Sequence, residues 1–413
     1  MADSLLSGFR ALDLTDEKGF ICGKILAALG VETIKIDKPE DDPSQCIPPF
    51  LHNSGGPERS LYWSAFNTDK RSITLNWETI KGRDLFRKLV QNAHFVVESF
   101  TPGYMDSLGL GYEALKQLNP GIIMTSITYF GQKGPYAHYK GSELIASAMS
   151  GVMSTNGDPD RAPLREGPDS ICYRSNAAAA LGTVIAHYYR ETTGKGQQVD
   201  VSFQEVAASR TTSNLVVWDF DKRLIKRNAA IRTVGARATQ WIWPCKDGYV
   251  FWPYMGGQGG ARGNRALSQW IDDDGLENPL NKVTNWEEFD FAAISKDDLE
   301  IHHEVIRTFF LNHTKKEIEE EGVRRGIHAC PINNPADVLE YPQFRERGYW
   351  VDLQDPEARV SLTYPGYFFL SNQTDNTIKR RAPLVGEDNE NIYLNELDLS
   401  STEMAVLKET GVI

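Results

Sequence analysis

The sequence predicts an α/β protein with a mostly parallel sheet and a second, smaller domain. Two observations carry this. Strand-length apolar runs alternate with amphipathic segments of helical spacing over the first 130 or so residues, which implies βαβ units with sites at the carboxyl ends of the strands. The composition then shifts near residue 225 toward aromatic residues and glycine. At 413 residues the chain also exceeds what one small core organises, so two or three domains are expected.

In order, FRALDLT (9–15) reads as a buried strand and GFICGKILAALG (19–30) as a helix ending on glycine. VETIKID (31–37) is a second strand. Residues 38–69 form a polar, proline-bearing segment, and so long a loop in an α/β core is expected to be functional or to contact a neighbour. RSITLN (71–76) is a third strand, TIKGRDLFRKLVQNA an amphipathic helix, and HFVVESF (94–100) and GIIMTSITYFG (121–131) are further strands. GLGY (109–112) reads as a turn. Ser175 and Asn176 are expected to cap a helix from Ala177 to Arg190 that ends near Gly194, after which VDVSFQEVAASR restarts ordered structure. The expected division is 1–225 for the first part of a large domain, 226–340 for a small one, and 341–413 returning to the large domain. Within the small domain, GGQGGARG (256–263) reads as a flexible loop, with a ligand-covering lid as the alternative. His302 and His303 read as surface residues of a charged helix.

Lys plus Arg is 44 against 56 Asp plus Glu, a formal net charge of −12. That argues against nucleic acid as a partner while leaving room for a small anion at a local basic cluster. The longest mostly apolar run, Ala177 to Ala186, falls short of the roughly 20 residues a bilayer needs, and MADSLLSGFRALDL lacks a basic head and apolar run. Neither a membrane span nor a secretory signal is expected. Five scattered cysteines (Cys22, Cys46, Cys172, Cys245 and Cys330), none in CxxC spacing, suit free thiols in a reducing cytoplasm better than disulfides or zinc. GxGxxG, Walker A, HExxH and GxSxG patterns are all missing, which removes support for nucleotide, zinc-protease and serine-hydrolase chemistry. Lys133, Lys140 and Glu143, in GQKGPYAHYKGSEL, read by pattern alone as solvated caps of a helix start.

Several blocks taken together resemble one family. They are ALDLTDEKGFICGKILAALGVETIKIDKP, NTDKRSITLN, FTPGYMDSLGLGYEALKQLNPGIIMTSITYFGQKGPY, RETTGKGQQVDVSFQE, GIHACPINNPADVL and RAPLVGED, running from about residue 9 to residue 390. In this order they resemble the class III CoA-transferases, the group of formyl-CoA transferase, carnitine CoA-transferase and α-methylacyl-CoA racemase. The resemblance implies a Rossmann-like large domain, a small α+β domain, and two chains threaded through each other as an interlocked, ring-like dimer. It implies no permanently bound cofactor, with a coenzyme A thioester and an organic acid as substrates. The CoA-side positions would be Glu17, Lys18, Lys38, Leu75, Ser99, Phe100 and Lys140, of which the lysines suit the phosphates of CoA. The implied mechanism is covalent: an aspartate near a helix start attacks the thioester, and the resulting anhydride keeps the acyl group activated.

The family pattern places that aspartate ten residues before the glycine of an LG motif, here Gly182, and the position holds Cys172. Three readings stay open. Asp169, three residues earlier, takes over in an independent homodimeric enzyme. Cys172 itself is the nucleophile, against a plain packed cysteine near a helix start. Or the chain is the non-catalytic subunit of a heteromeric transferase whose homologous partner carries the aspartate, with a purely structural, CoA-binding subunit as its limiting case. The third is adopted, because YRETTGKGQQVDVSFQE and PERSLYWSAFNTDKRSITLN most resemble two-subunit members such as succinyl-CoA:(R)-benzylsuccinate CoA-transferase, which act on aromatic acids in anaerobic degradation. The racemase branch needs a histidine in a GHD-like motif. Here the motif is Gly141-Ser142-Glu143, so α-proton exchange is disfavoured.

Overall fold

Strand β1 (Arg10–Leu14) lies inside a six-stranded sheet that the chain builds outward in both directions. Helix α1 (Phe20–Ala28) leads to β2 (Glu32–Asp37), α2 (Leu61–Phe66) to β3 (Arg71–Thr74), and α3 (Ile80–Gln91) to β4 (Phe95–Glu98). Helices α4 (Tyr104–Ser107) and α5 (Tyr112–Leu118) precede β5 (Ile123–Thr128). Then come α6 (Glu143–Met149), α7 (Ser170–Thr193), β6 (Gln198–Ser202), α8 (Phe203–Ser209) and α9 (Thr212–Asp221). The strand order is β3-β2-β1-β4-β5-β6, and every neighbouring pair is parallel. This is the doubly wound, Rossmann-like order, whose winding reverses between β1 and β4. The computed structural model describes residues 4–39, 43–51, 60–234, 237–355, 360–367, 369–374 and 377–413.

Parallel strands are covered on both faces, and alternate residues of β1 serve the two layers. Leu12 and Leu14 pack with Phe86, Leu89 and Leu115. Ala11 packs with Leu26, Ala179 and Phe203. Buried ion pairs interrupt this apolar interior, Lys35 with Asp37 and Lys70 with Asp13. Lys70 Nζ donates to Asp13 Oδ2, to the Phe20 carbonyl and to Asn67 Oδ1, each at 2.8 Å, so all three protons of an ammonium are used. Asp13 Oδ1 accepts from Thr15 N (3.0 Å) and Thr15 Oγ1 (2.6 Å). Burial pushes the Asp13 carboxyl up, but Lys70 and Lys35 outweigh it and hold it below its ordinary value.

The chain forms two units. Met1–Met153, Arg165–Arg223 and Pro342–Ile413 make the first, and Ser154–Leu164 and Leu224–Tyr341 make the second. The 154–164 segment, which composition leaves in the large domain, belongs with the second unit: Leu164 N bonds the Asn156 carbonyl, and the Arg227 guanidinium donates to the carbonyls of Asp158 and Arg161. In the second unit β7 (Ile231–Val234) and β8 (Arg237–Gln240) pair antiparallel. Strands β9 (Ile242–Cys245), β10 (Gly248–Phe251) and β11 (Cys330–Pro331) form an antiparallel sheet accompanied by α10 (Gly257–Asp273), α11 (Lys296–Leu311), α12 (Lys315–Arg325) and α13 (Pro335–Glu340).

The return to the first unit brings α14 (Pro342–Glu346), the hairpin of β12 (Trp350–Asp355) and β13 (Val360–Pro365), and α15 (Ser401–Glu409). Before α15 this returning segment closes the free edge of β3. Ser72 N donates to Asp388 Oδ2 (3.0 Å) and Thr74 N to Asn389 Oδ1 (2.9 Å), while Asp388 N donates to the Ser72 carbonyl (2.8 Å).

Four sequence expectations change. The stretch GGQGGARG is not a loop but the start of α10; a Cβ on Gly260 would sit 2.0 Å from the Met255 carbonyl, so that glycine serves close packing. Ser175 and Asn176 do not cap α7, which begins five residues earlier, and both are fully buried in it. The 38–69 segment contains a 3-10 turn (Pro43–Cys46) and α2; its residues 40–42 and 52–59 lie outside the described ones. His302 and His303 are buried, not surface residues, because the charged positions of α11 occupy its opposite face. The Tyr254 hydroxyl and His302 Nδ1 are 2.7 Å apart, and the His303 ring sits edge-on to Trp243.

Burial pushes His303 down to about 4 from 6.5. Folding therefore favours its neutral form: that stabilisation is complete above 6.5 and is lost as pH falls from there through about 4. Tryptophan fluorescence followed through that window is expected to show the second unit loosening, and His303→Gln is expected to flatten the response. Superimposable acid curves for the two proteins would contradict this.

Candidate active site

The crevice outside the carboxyl ends of β1 and β4, where the winding reverses, is where a doubly wound sheet places its ligand. Two turns meet there. Thr15–Gly19 follows β1 and Ser99–Gly103 follows β4, and they are tied by Ser99 Oγ donating to Asp16 Oδ1 (2.8 Å) and by Asp16 N donating to Ser99 Oγ (2.9 Å). Together with the segment after β5 they enclose a cleft of about 260 Å³ lined by Lys18, Ser99, Phe100, Tyr129, Tyr139 and Lys140 among others. Four of the seven CoA-side residues expected from the sequence thus come together: Lys18, Ser99, Phe100 and Lys140.

Lys18 carries an ion pair with Asp16 and lies 5.8 Å from the centre of the Tyr129 ring. Lys38 is not in the cleft wall. It pairs with Glu78 at 2.9 Å and stacks its ammonium over Trp77, and Trp77 and Tyr104 both contact Phe100. Its cation therefore stands one aromatic layer away from the cleft. Leu75 does not present its side chain to a ligand. It is fully buried in the sheet core, and its amide already donates to the Asp37 carbonyl.

The start of α7 is the second half of the site. Pro168 and Asp169 precede it, and Asp169 takes the left-handed conformation (φ 56°) at the N-cap without a side-chain capping bond. The first turn holds no acidic residue of its own. Its exposed donors are instead met from α6: Glu143 Oε1 accepts from Ile171 N (2.8 Å) and Cys172 N (3.3 Å). A carboxylate suits that place because the helix N-terminus carries unpaired N–H groups and the positive end of the dipole. By pattern alone Glu143 is a solvated cap; the fold brings it to a helix start 28 residues away.

Cys172 is buried, with Sγ near the carbonyls of Glu17 and Lys18. Burial, then the carboxylates of Glu143, Asp169, Glu17 and Asp16, push its thiol far up. A protonated thiol is a poor nucleophile, and the neighbours that could act as bases make its thiolate harder to form. Asn176 fastens this turn to the cleft wall. Its Nδ2 donates to the carbonyls of Lys18 (2.7 Å) and Cys172 (2.8 Å), and its Oδ1 accepts from Cys22 N (2.9 Å). Tyr129, which lines the cleft, is raised by burial and then by Glu17, Asp16, Cys172 and Glu143, so cleft and helix start share one electrostatic environment. The arrangement offers two cations beside a cleft, a carboxylate-rich helix start, and a neutral thiol between them. No group of His, Cys, Asp and Glu among the described residues could hold a metal ion. Likewise, no described helix is long and apolar enough to cross a membrane.

A family model described as CoA-transferase family III matches residues 6–389. The succinyl-CoA:(R)-benzylsuccinate CoA-transferase subunit BbsE of Thauera aromatica is 32% identical over 390 residues, covering 94% of this chain and 93% of that protein. A succinyl-CoA–D-citramalate CoA-transferase of Chloroflexus aurantiacus is 30% identical, covering 96% and 94%. Among solved structures, a CAIB/BAIF family protein from Brucella suis superposes with a TM-score of 0.81 at 26% identity, over 95% of this chain and 99% of that one.

Proposed function

This chain belongs to CoA-transferase family III, and from that premise we propose that it is the non-catalytic subunit of a heteromeric enzyme moving CoA from succinyl-CoA to an organic acid such as benzylsuccinate. The observation that carries the reading is Cys172. It stands where the family resemblance expects the nucleophilic aspartate, and its surroundings keep it a neutral thiol. In this reading the homologous partner brings the aspartate, and the two chains interlock as rings in the cytoplasm.

Two further observations support a partner chain. The 32%-identical relative is itself named as a subunit. Helix α9 buries none of its residues, leaving Leu215, Trp218 and Phe220 exposed, and α7 exposes Leu181, Ile185 and Tyr188. Apolar area of that extent belongs against another surface. Lys18, Ser99, Phe100 and Lys140 would hold the CoA side, with Lys38 reached along the Trp77 layer.

A second reading keeps Asp169 as the nucleophile. It is favoured by the position of Asp169 at the N-cap of α7, three residues before Cys172, with a side chain that makes no capping bond. The test is CoA transfer from succinyl-CoA to a panel of dicarboxylic and aromatic acids, followed by mass spectrometry of the acyl-CoA products. The chain alone is expected to be inactive, with turnover appearing when an aspartate-bearing homologue is added. Turnover by the chain alone that Asp169→Ala abolishes would replace the first reading with the second. Full activity of the partner without this chain would overturn the first reading.

A further inference from the structure

A buried acid lies directly behind the cleft and is not used by the mechanism above. Glu98 ends β4 and is 4% exposed. Its Oε2 accepts from Phe100 N at 2.7 Å, so its carboxylate closes the turn that presents Ser99 and Phe100 to the cleft. Ser126 on β5 also bonds it and in turn accepts from Gln198 Nε2 on β6 (3.2 Å). Glu98 also lines a small polar pocket of about 70 Å³ with Asp106, Tyr112, Glu113 and Gln132. Thr101 lines both this pocket and the cleft, so the two spaces adjoin there.

We propose that Glu98 is a positioning residue of the cleft and that it couples binding of the anionic CoA moiety to uptake of one proton. This rests on the reading of the cleft as the CoA site.

The charges facing Glu98 set the direction. Burial raises its carboxyl to about 7, the bonds from Ser126 and Phe100 and the charge of Lys18 oppose the rise, and Asp106 adds to it. Asp16 stands behind Ser99, and Glu113 shares the pocket. Lys18 is the cation that favours ionised Glu98, and it is also a cation of the cleft wall. A diphosphate entering the cleft would draw on Lys18 and place its own negative charge before the Ser99–Phe100 turn. Both effects raise the Glu98 carboxyl further, so the occupied cleft holds the proton more tightly than the empty one. By linkage, CoA binds best below about pH 7 and weakens as pH rises through that value, by up to about tenfold for each unit that binding shifts the carboxyl.

The experiment is calorimetric titration of the purified chain with CoA and with dephospho-CoA, at about pH 6.5 and about pH 8.5, in two buffers of different ionisation enthalpy. Dephospho-CoA removes the titrating 3′-phosphate of the ligand, and comparison with Glu98→Gln cancels His138 on the adjoining loop, present in both proteins. For the wild type, both ligands are expected to bind with proton uptake near neutral pH and to lose about tenfold in affinity across the range. Glu98→Gln is expected to bind with no such uptake and a flat profile. A wild-type slope retained in Glu98→Gln would overturn the proposal. So would absence of proton uptake in the wild type, a result that needs no variant to fold. Failure of either ligand to bind at any pH would instead remove the CoA reading, and the coupling with it.

Discussion

Cys172→Asp is expected to give the isolated chain CoA-transferase activity, about a hundredfold or more above the wild-type chain assayed alone. The substitution places a carboxylate at the third residue of α7, on the turn where two N–H groups already hold an anion. The thiol it replaces is neutral and buried; a carboxylate of similar reach ionises far more readily and can form an anhydride that retains the activation of the thioester. One neighbour works against it. Glu143 occupies the same donors, and two carboxylates this close titrate as a pair, one of them raised. Activity of Cys172→Asp should therefore climb with pH until both groups are ionised, and Cys172→Asp combined with Glu143→Gln should reach its plateau at lower pH. Acyl-CoA products followed by mass spectrometry across pH would check both statements. A folded single and double variant, each without turnover, would show that Cys172 does not stand at the nucleophile position.

Lys70→Met is expected to cost about 3–5 kcal/mol of stability, because it leaves a carboxylate at Asp13 buried without its cation. The size follows from the asymmetry of such pairs: removing one partner exposes the full penalty of the other, whereas removing both exchanges an ion pair for apolar packing. The double variant Asp13→Leu with Lys70→Met should accordingly recover most of the loss. Since folding holds the Asp13 carboxyl below 3.8, its contribution is present above that value and disappears as pH falls through the lower, folded value. Urea unfolding near neutral pH measures the effect directly, and a loss below about 1 kcal/mol for Lys70→Met would refute the argument. The single variant should also loosen Thr15, which Asp13 holds through two hydrogen bonds, and with it the turn that carries Lys18.

The strands of the sheet were legible because each is a short apolar run covered on both faces, so period and length alone locate FRALDLT, VETIKID and HFVVESF near their observed bounds. Positions that depend on distant contacts were not legible. Asn176 looks like a cap because Asn is a good cap; in the fold it lies inside a helix and is satisfied by Lys18 and Cys22, more than 150 residues away. His302 and His303 sit among charged neighbours, yet α11 turns both inward, and neither burial nor the Tyr254 partner can be read from local composition. In the candidate site, the residues that could touch a ligand were nameable from family blocks. The residues that hold them in place leave no motif: Asp16 accepts from Ser99 Oγ and Lys18 N, Glu98 from Phe100 N, and Glu143 from Ile171 N and Cys172 N. The glycine-rich stretch failed for a related reason: glycine signals flexibility and close packing alike, and only the Met255 carbonyl distinguishes them.

The sealing of β3 by the segment around Asp388 and Asn389 has a consequence for biosynthesis. Every strand of the parallel sheet is complete once Ser202 has been made, yet the last cover for its β3 edge arrives some 180 residues later, after the whole second unit has been translated. During that interval the nascent chain carries a formed sheet with an unpaired strand edge, the surface to which other extended chains add. Interruption of translation within the second unit would release polypeptides with this edge uncovered, which marks them for chaperone capture or aggregation more than their missing mass alone would suggest.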